Sequence, residues 1–128
     1  MSPREQARPT ASELAILRVL WERGPSTVKE VQDGLRRRER RGYTTVLKLM
    51  QIMHEKGLVE RRRDGKAHVY RARLREVQAQ KRLTADLIDG VFRGSAARLV
   101  MQALSSKTPS REDLEEVRRL LDELEEEK

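Results

Sequence analysis

Within residues 10–72, three amphipathic helical segments, the first and third closed by a glycine, are followed by two β-rich runs around an Asp-Gly turn. This order constrains the chain more than any single residue does. The first segment opens at Thr10, where Thr10 and Glu13 form the Thr-x-x-Glu pattern of a capping box. Leu14, Leu17 and Trp21 fall on one helical face, and Ile16 and Leu20 widen it. Gly24-Pro25 stops it, because glycine takes the left-handed cap and proline cannot continue a helix. The second segment starts at Ser26 or Thr27, with Thr27 and Glu30 repeating the capping pattern and Val28, Val31 and Leu35 as its stripe.

A basic run, Arg36-Arg37-Arg38-Glu39-Arg40-Arg41, leads to Gly42. The third helix is expected over Thr44 to Lys56, with Val46, Leu49, Met50 and Met53 buried. Thr44, Lys48, Gln51 and Glu55 occupy the opposite face, at spacings of four, three and four. Gly57 ends it. Leu58 to Arg63 and Lys66 to Ala72 read as strands joined by the hairpin dipeptide Asp64-Gly65, with Ala67, Val69 and Arg71 sharing a face. Three helices and a two-stranded hairpin make the order of a winged helix-turn-helix. The expected fold class is therefore α+β and mostly helical: a winged domain over residues 1–74, then a helical dimerisation region over residues 75–128.

The carboxy-terminal part reads as three helices. The first runs from about Arg75 to Arg93, with Leu83, Leu87, Ile88 and Val91 as its stripe. The second is capped by Ser95 and carries Ala96, Leu99, Val100, Ala103 and Leu104. After a linker from Ser105 to Pro109, Ser110 caps the third, with Asp113 at the reciprocal position. Leu114, Val117, Leu121 and Leu124 follow the three-four-three spacing of a coiled-coil seam. About 50 residues seldom form their own core. These stripes are expected either to pair with an identical copy or to fold back on the winged domain, and pairing is favoured because a two-fold dimer doubles the contacts to DNA.

Charge divides along the same line. Residues 1–75 hold 19 Lys/Arg against 9 Asp/Glu, a balance of +10, and residues 76–128 hold 9 against 12, or −3, giving the chain its +7. A basic front half attracts a polyanion, and double-stranded DNA is the commonest. Aromatics are 3% of residues, which leaves few stacking platforms for single strands. There is no Cys, hence no disulfide and no thiolate metal site, and His54 and His68 lack metal spacing. The end from Met1 to Pro9 is polar, and no apolar run approaches the roughly 20 residues of a spanning helix, so a cytoplasmic protein without membrane insertion is expected. No nucleophile stands beside a base and no Gly-rich phosphate loop occurs, so neither an enzyme nor a cofactor is expected.

The DNA-contacting candidates follow from this frame. As third helix of the unit, residues 44–56 are the expected recognition helix, whose first turn carries Thr44, Thr45 and Lys48. Thr hydroxyls bond phosphates or base edges, and Lys48 reaches a guanine or a phosphate; one of the two Thr is also expected to cap the helix. Tyr43 reads equally as a phosphate ligand and as a hydrophobic staple. Gln51 reads adenine only if the helix lies deep in the groove. On the wing, Arg61, Arg62, Arg63, Lys66 and His68 suit phosphate gripping or minor-groove insertion, or else a charge-protected edge strand. The run from Arg36 to Arg41 either adds phosphate contacts or is a solvated charge run.

Residues 43–59, Tyr-Thr-Thr-Val-Leu-Lys-Leu-Met-Gln-Ile-Met-His-Glu-Lys-Gly-Leu-Val, resemble the recognition segment of the penicillinase-repressor family (BlaI/MecI/CopY). Glu13-Leu14-Ala15-Ile16-Leu17, Leu20-Trp21, Pro25 to Val31 and Ala67-His68-Val69-Tyr70 are similar too, so the resemblance spans roughly residues 8–126. It implies a homodimeric repressor covering palindromic operators, often of β-lactam resistance genes, with winged helices on DNA and carboxy-terminal helices dimerising. It also implies a membrane sensor-protease partner that releases the repressor by cutting the dimerisation helices. Three positions depart from the pattern. The Asn-Phe cleavage pair is replaced by Gln102-Ala103, the Cys pairs of the copper-responsive branch are missing, and Ile52 stands where many relatives carry Arg. The alternatives to an operator-binding repressor are a winged-helix protein-interaction module and a small-molecule-responsive regulator.

Overall fold

A computed structural model describes residues 8–128; the first seven positions of the polar amino end lie outside the described residues. Helix α1 spans Ala11–Arg23 and α2 spans Val28–Gly34. Both open with the expected reciprocal caps. The Thr10 hydroxyl accepts from the Glu13 N–H at 3.2 Å while the Glu13 carboxylate accepts from the Thr10 N–H at 2.9 Å, and Thr27 and Glu30 repeat this at the same distances. Between them, Ser26–Thr27 form a two-residue strand, β1. A short 3₁₀ turn, Arg37–Glu39, leads into α3, Tyr43–Lys56. Gly57, in the left-handed conformation at φ +80°, ends α3 as its sequence required.

Strands β2, Val59–Asp64, and β3, Ala67–Ala72, form the expected hairpin, and β1 adds to the far edge of β3, so the sheet is three-stranded and antiparallel in the order β1-β3-β2. Pairing of Asp64 with Ala67 places the turn at Gly65-Lys66, one residue beyond the expected Asp64-Gly65. The physical reason is handedness. Gly65 alone of the two loop residues has positive φ, at +63°, and a turn of the II′ kind wants glycine first. Within β3 the buried side chain is Tyr70, fully enclosed, with Ala72 partly buried; Val69 is half-exposed and Ala67 and Arg71 are exposed.

One apolar core joins these elements: Ile16, Leu17, Val19 and Leu20 of α1, Val28 and Val31 of α2, Val46, Met50 and Met53 of α3, and Leu58, Val59 and Tyr70 around the hairpin. Each such side chain stabilises the fold by about 1.5–3 kcal/mol on burial. Leu74 and Ala79 close the same core from the start of α4, Glu76–Gly90, and the Trp21 indole N–H donates to the Leu74 carbonyl at 2.9 Å. Packing of α2 on α1 is close. A Cβ on Gly34 would stand 2.8 Å from Val19 Cγ1. Glu13 is also enclosed, at 1% exposure, and both its oxygens accept from Lys56 Nζ at 2.9 Å. The start of α1 is thereby tied to the end of α3.

The chain divides into two compact units, residues up to 84 and residues 85–128, with the dividing line passing through α4. Helix α4 stops at Gly90, short of the expected Arg93, because residues 91–94 form a turn with Arg93 at φ +51° and Gly94 at φ +84°. Helix α5, Ala96–Ser106, is capped by Ser95, and α6, Arg111–Glu126, by Ser110. Ser105 and Ser106 continue α5, each hydroxyl donating to the carbonyl four residues back, so the linker begins at Lys107. Not one residue of 85–128 is buried. Val91, Val100, Met101, Leu120, Leu121 and Leu124 are between 44% and 67% exposed. Among the described residues no helix is long and apolar enough to cross a membrane.

Candidate nucleic-acid interface

Helix α3 is fixed from beneath by Val46, Met50 and Met53, each fully buried. Its other face is thereby turned outward, and Thr44, Thr45, Lys48, Gln51 and Glu55 are all exposed. The helix starts earlier than expected. Gly42 is the N-cap, in extended backbone, and no side chain caps the first turn. The expectation that Thr44 or Thr45 must cap α3 is therefore corrected, because both lie inside the first turn. Their hydroxyls and the unpaired first-turn N–H groups share the positive end of the helix dipole, which favours an anion.

Beside this end lies an open groove of about 310 Å³. It is lined by Thr27, Val28 and Lys29 at the start of α2, Tyr43 and Leu47 of α3, and Lys66, Ala67, His68 and Tyr70 of the hairpin. The groove brings three candidates together: Tyr43, which is 49% exposed, Lys66 and His68. Tyr43 projects from the helix itself and is not covered as a staple would be. The His68 ring meets the Tyr70 ring edge-on, with centroids 6.4 Å apart, at the floor of the groove. Lys29 joins the group, and sequence reasoning passed over it; it pairs only loosely with Asp33, both side chains more than half exposed, at 3.2 Å. Its signal was its place one residue after the apolar Val28 at a helix start, which is not distinctive.

The wing arginines divide by strand register. Arg61 opposes Tyr70 and Arg63 opposes His68, so these two share a sheet face with Tyr70 and His68, though neither lines the groove itself. The Arg61 guanidinium reaches the Tyr70 hydroxyl at 3.5 Å, which holds it at the wing root, while Arg63 is exposed nearer the tip. Arg62 opposes Val69 on the other face, and a second cleft with Pro25, Glu60, Val69 and Arg71 is bordered by both Arg61 and Arg62. There Arg71 Nε donates to the Glu60 carboxylate at 2.9 Å, and this bond, reinforced by the charge of Arg71 and more weakly of Arg73, holds the Glu60 carboxyl below its ordinary value of 4.5. Glu30 is lowered likewise, chiefly by the Thr27 backbone N–H and then by the Thr27 hydroxyl. Glu60 is thus neutralised by Arg71 and Arg73, and among the described residues neither Asp64 at the wing tip nor Arg62, Arg63 or Lys66 forms an ion pair.

The second set of candidates lies on α4, α5 and α6 and, for Val91, in the turn after α4. Leu83, Ile88, Leu99, Leu114 and Val117 are half-exposed, while Leu87, Val91, Leu121 and Leu124 are exposed at 40–65%. Gln102-Ala103, the position of the altered cleavage pair, lies inside α5, and Ile52 is 42% exposed on α3.

Comparison with known proteins gives the family. The family model described as penicillinase repressor matches residues 9–123. The methicillin resistance regulatory protein MecI of Staphylococcus aureus (strain N315) is 19% identical over 112 residues, covering 88% of this chain and 91% of its own. The transcriptional regulator BlaI of Mycobacterium tuberculosis (strain H37Rv) is 41% identical over 59 residues, 45% of this chain and 43% of its own. Among solved structures, a MarR family protein from Bacillus stearothermophilus aligns over 98% of this chain and 81% of its own, at 24% identity and a TM-score of 0.48. The transcriptional regulator BldR from Sulfolobus solfataricus aligns over 90% and 75%, at 22% identity and a TM-score of 0.46. With its family model matched over nearly the whole chain, this protein belongs to the penicillinase repressor family, whose members here are transcriptional regulators and not enzymes.

Proposed function

We propose that this DNA-binding repressor works as a homodimer on palindromic operators. Residues 1–74 recognise DNA, and residues 75–128 pair with a second copy. The observation that carries the reading is the exposed row Thr44, Thr45, Lys48 and Gln51 on a helix whose first turn is uncapped, beside a groove edged by Tyr43, Lys66 and His68. In the major groove, Lys48 and the two threonines reach base edges, and Gln51 follows one turn deeper. Tyr43, Lys66, His68, Arg61, Arg62 and Arg63 hold phosphates on either side. Two copies place their recognition helices about one DNA turn, roughly 34 Å, apart or a multiple of it.

Pairing is supported by the unit of residues 85–128, which buries no residue of its own while carrying Leu87, Leu99, Leu114, Val117, Leu121 and Leu124 on helical stripes and Val91 in the turn after α4. The name of the MecI relative extends the reading to genes of β-lactam resistance, and the family resemblance extends it to a cytoplasmic repressor released by a membrane sensor-protease. That release requires a cut at a pair other than Asn-Phe, since Gln102-Ala103 stands inside α5.

Sedimentation tests the proposal. The purified chain is run alone and with duplex fragments of its own promoter region. A mass near twice 14.9 kDa alone, and two chains per fragment in the complex, is the expected result. A monomer that ignores duplex DNA even at low salt would overturn it.

A further inference from the structure

We infer that the turn between α2 and α3 is a third DNA-gripping element, one that holds phosphates beyond the reach of α3 and the wing, and that an ion pair behind it sets it in place. The inference rests on the proposed DNA-binding function. A run of arginines in sequence is most often a solvated face. Here the run is ordered from both ends and from its middle. Leu35 is buried at 4% exposure on one side. On the other, the Gln32 amide donates to the Arg41 carbonyl at 3.1 Å. Between them, Arg37–Glu39 form the 3₁₀ turn, and Arg18 Nη1 of α1 donates to Glu39 Oε2 at 3.1 Å.

This last contact decides the charge. Glu39 is the single acid among six residues, and it is turned inward and neutralised by Arg18. What faces outward is Arg36, Arg37, Arg38, Arg40 and Arg41, all exposed and none in an ion pair among the described residues. Five like charges held on a fixed turn repel one another, and a polyanion alongside relieves that repulsion. The turn runs straight into Gly42 and the uncapped start of α3, so it extends the surface already proposed to meet DNA. Phosphate gripping of this kind adds affinity without sequence preference. Arg18 acts here as a positioning residue, through Glu39.

The test is the salt dependence of binding to a random-sequence duplex and to a promoter fragment, measured by fluorescence anisotropy over a KCl series. Each phosphate contact contributes about 0.9 to the slope of log K against log[salt]. The variant R37Q/R38Q/R40Q is expected to lower the slope by at least about 0.9 per chain on both duplexes, leaving their affinity ratio unchanged. R18M, which frees Glu39 among the arginines, is expected to lower the slope too, and R18M/E39Q to restore it. An unchanged slope for the triple variant, beside steep wild-type binding, would overturn the inference and leave the DNA reading standing. A wild-type chain that binds neither duplex would remove the DNA reading itself. Loss in R18M that E39Q does not rescue would make Arg18 a direct contact and overturn the positioning role. A triple variant that alters sedimentation with its slope intact would assign the turn to a protein partner and overturn the inference.

Discussion

Replacing Lys56 with Met and replacing Glu13 with Gln break the same ion pair, yet they should destabilise the protein by different amounts. The Glu13 side chain is 2% exposed and the Lys56 side chain 36%. Lys56→Met keeps the alkyl stem but strands a carboxylate in the interior, with the Thr10 N–H at 2.9 Å as its remaining donor. Removing one partner of a buried pair costs about 3–5 kcal/mol, and since water reaches the Lys56 side of this one, the lower end, about 3 kcal/mol, is expected. Glu13→Gln removes the buried charge and keeps an oxygen for the Thr10 N–H, while Lys56 swings into water. Its cost should be near that of one ordinary hydrogen bond, about 1 kcal/mol. The 2 kcal/mol between them is about a 30-fold difference in the ratio of folded to unfolded chains, which urea unfolding at one fixed protein concentration resolves. In the double variant E13Q/K56M neither charge is left buried, and most of the Lys56→Met loss should return. Equal losses for the two single variants, or a larger loss for Glu13→Gln, would refute the argument.

Other outcomes follow from the same structure. Gly34→Ala should destabilise by about 1 kcal/mol or more although alanine favours helix, because its Cβ meets the stiff, buried Val19 at 2.8 Å; a gain in melting temperature would show that α1 and α2 readily move apart. Lys48→Ala should weaken binding to the operator far more than to random duplex, and equal weakening would make Lys48 a phosphate contact only. Acid should weaken the fold. Glu30 and Glu60 sit below their ordinary 4.5, so the stability they contribute is present above that value and is lost as pH falls below it through their folded values. Chevron or equilibrium data for Glu30→Gln should therefore show a smaller decline between pH 5 and pH 3 than the wild type, on the order of the window these carboxylates titrate in.

Features set by neighbouring residues were legible in the sequence, and features set by register or by distant partners were not. The two Thr-x-x-Glu caps and Gly57 are local, and each is where its sequence placed it. The exposed row Thr44, Lys48, Gln51 and Glu55 followed from the apolar positions opposite, since one periodicity fixes both faces. Strand β1 escaped because two residues carry no period, and Ser26 is buried by pairing with Tyr70, forty-odd positions away. Tyr70 as the enclosed residue of β3 depends on which face of the hairpin meets α1, a choice the alternation alone leaves open. Glu13 was readable as a cap but not as the partner of Lys56, and Glu39 was readable as a break in a basic run but not as the acid turned toward Arg18. In the candidate interface, Tyr43, Lys66 and His68 were named separately; only the fold puts them on one groove with Lys29.

The indole hydrogen bond from Trp21 to the Leu74 carbonyl has an optical consequence. Trp21 is the chain's sole tryptophan, so fluorescence emission on excitation near the red edge reports one place, the closure of the winged unit where β3 hands over to α4. Helices α5 and α6 are silent at that wavelength and speak only through far-ultraviolet dichroism. A dilution series followed by both signals would separate the two units without a label. If α5 and α6 depend on a second copy, dichroism falls with concentration while the tryptophan emission holds.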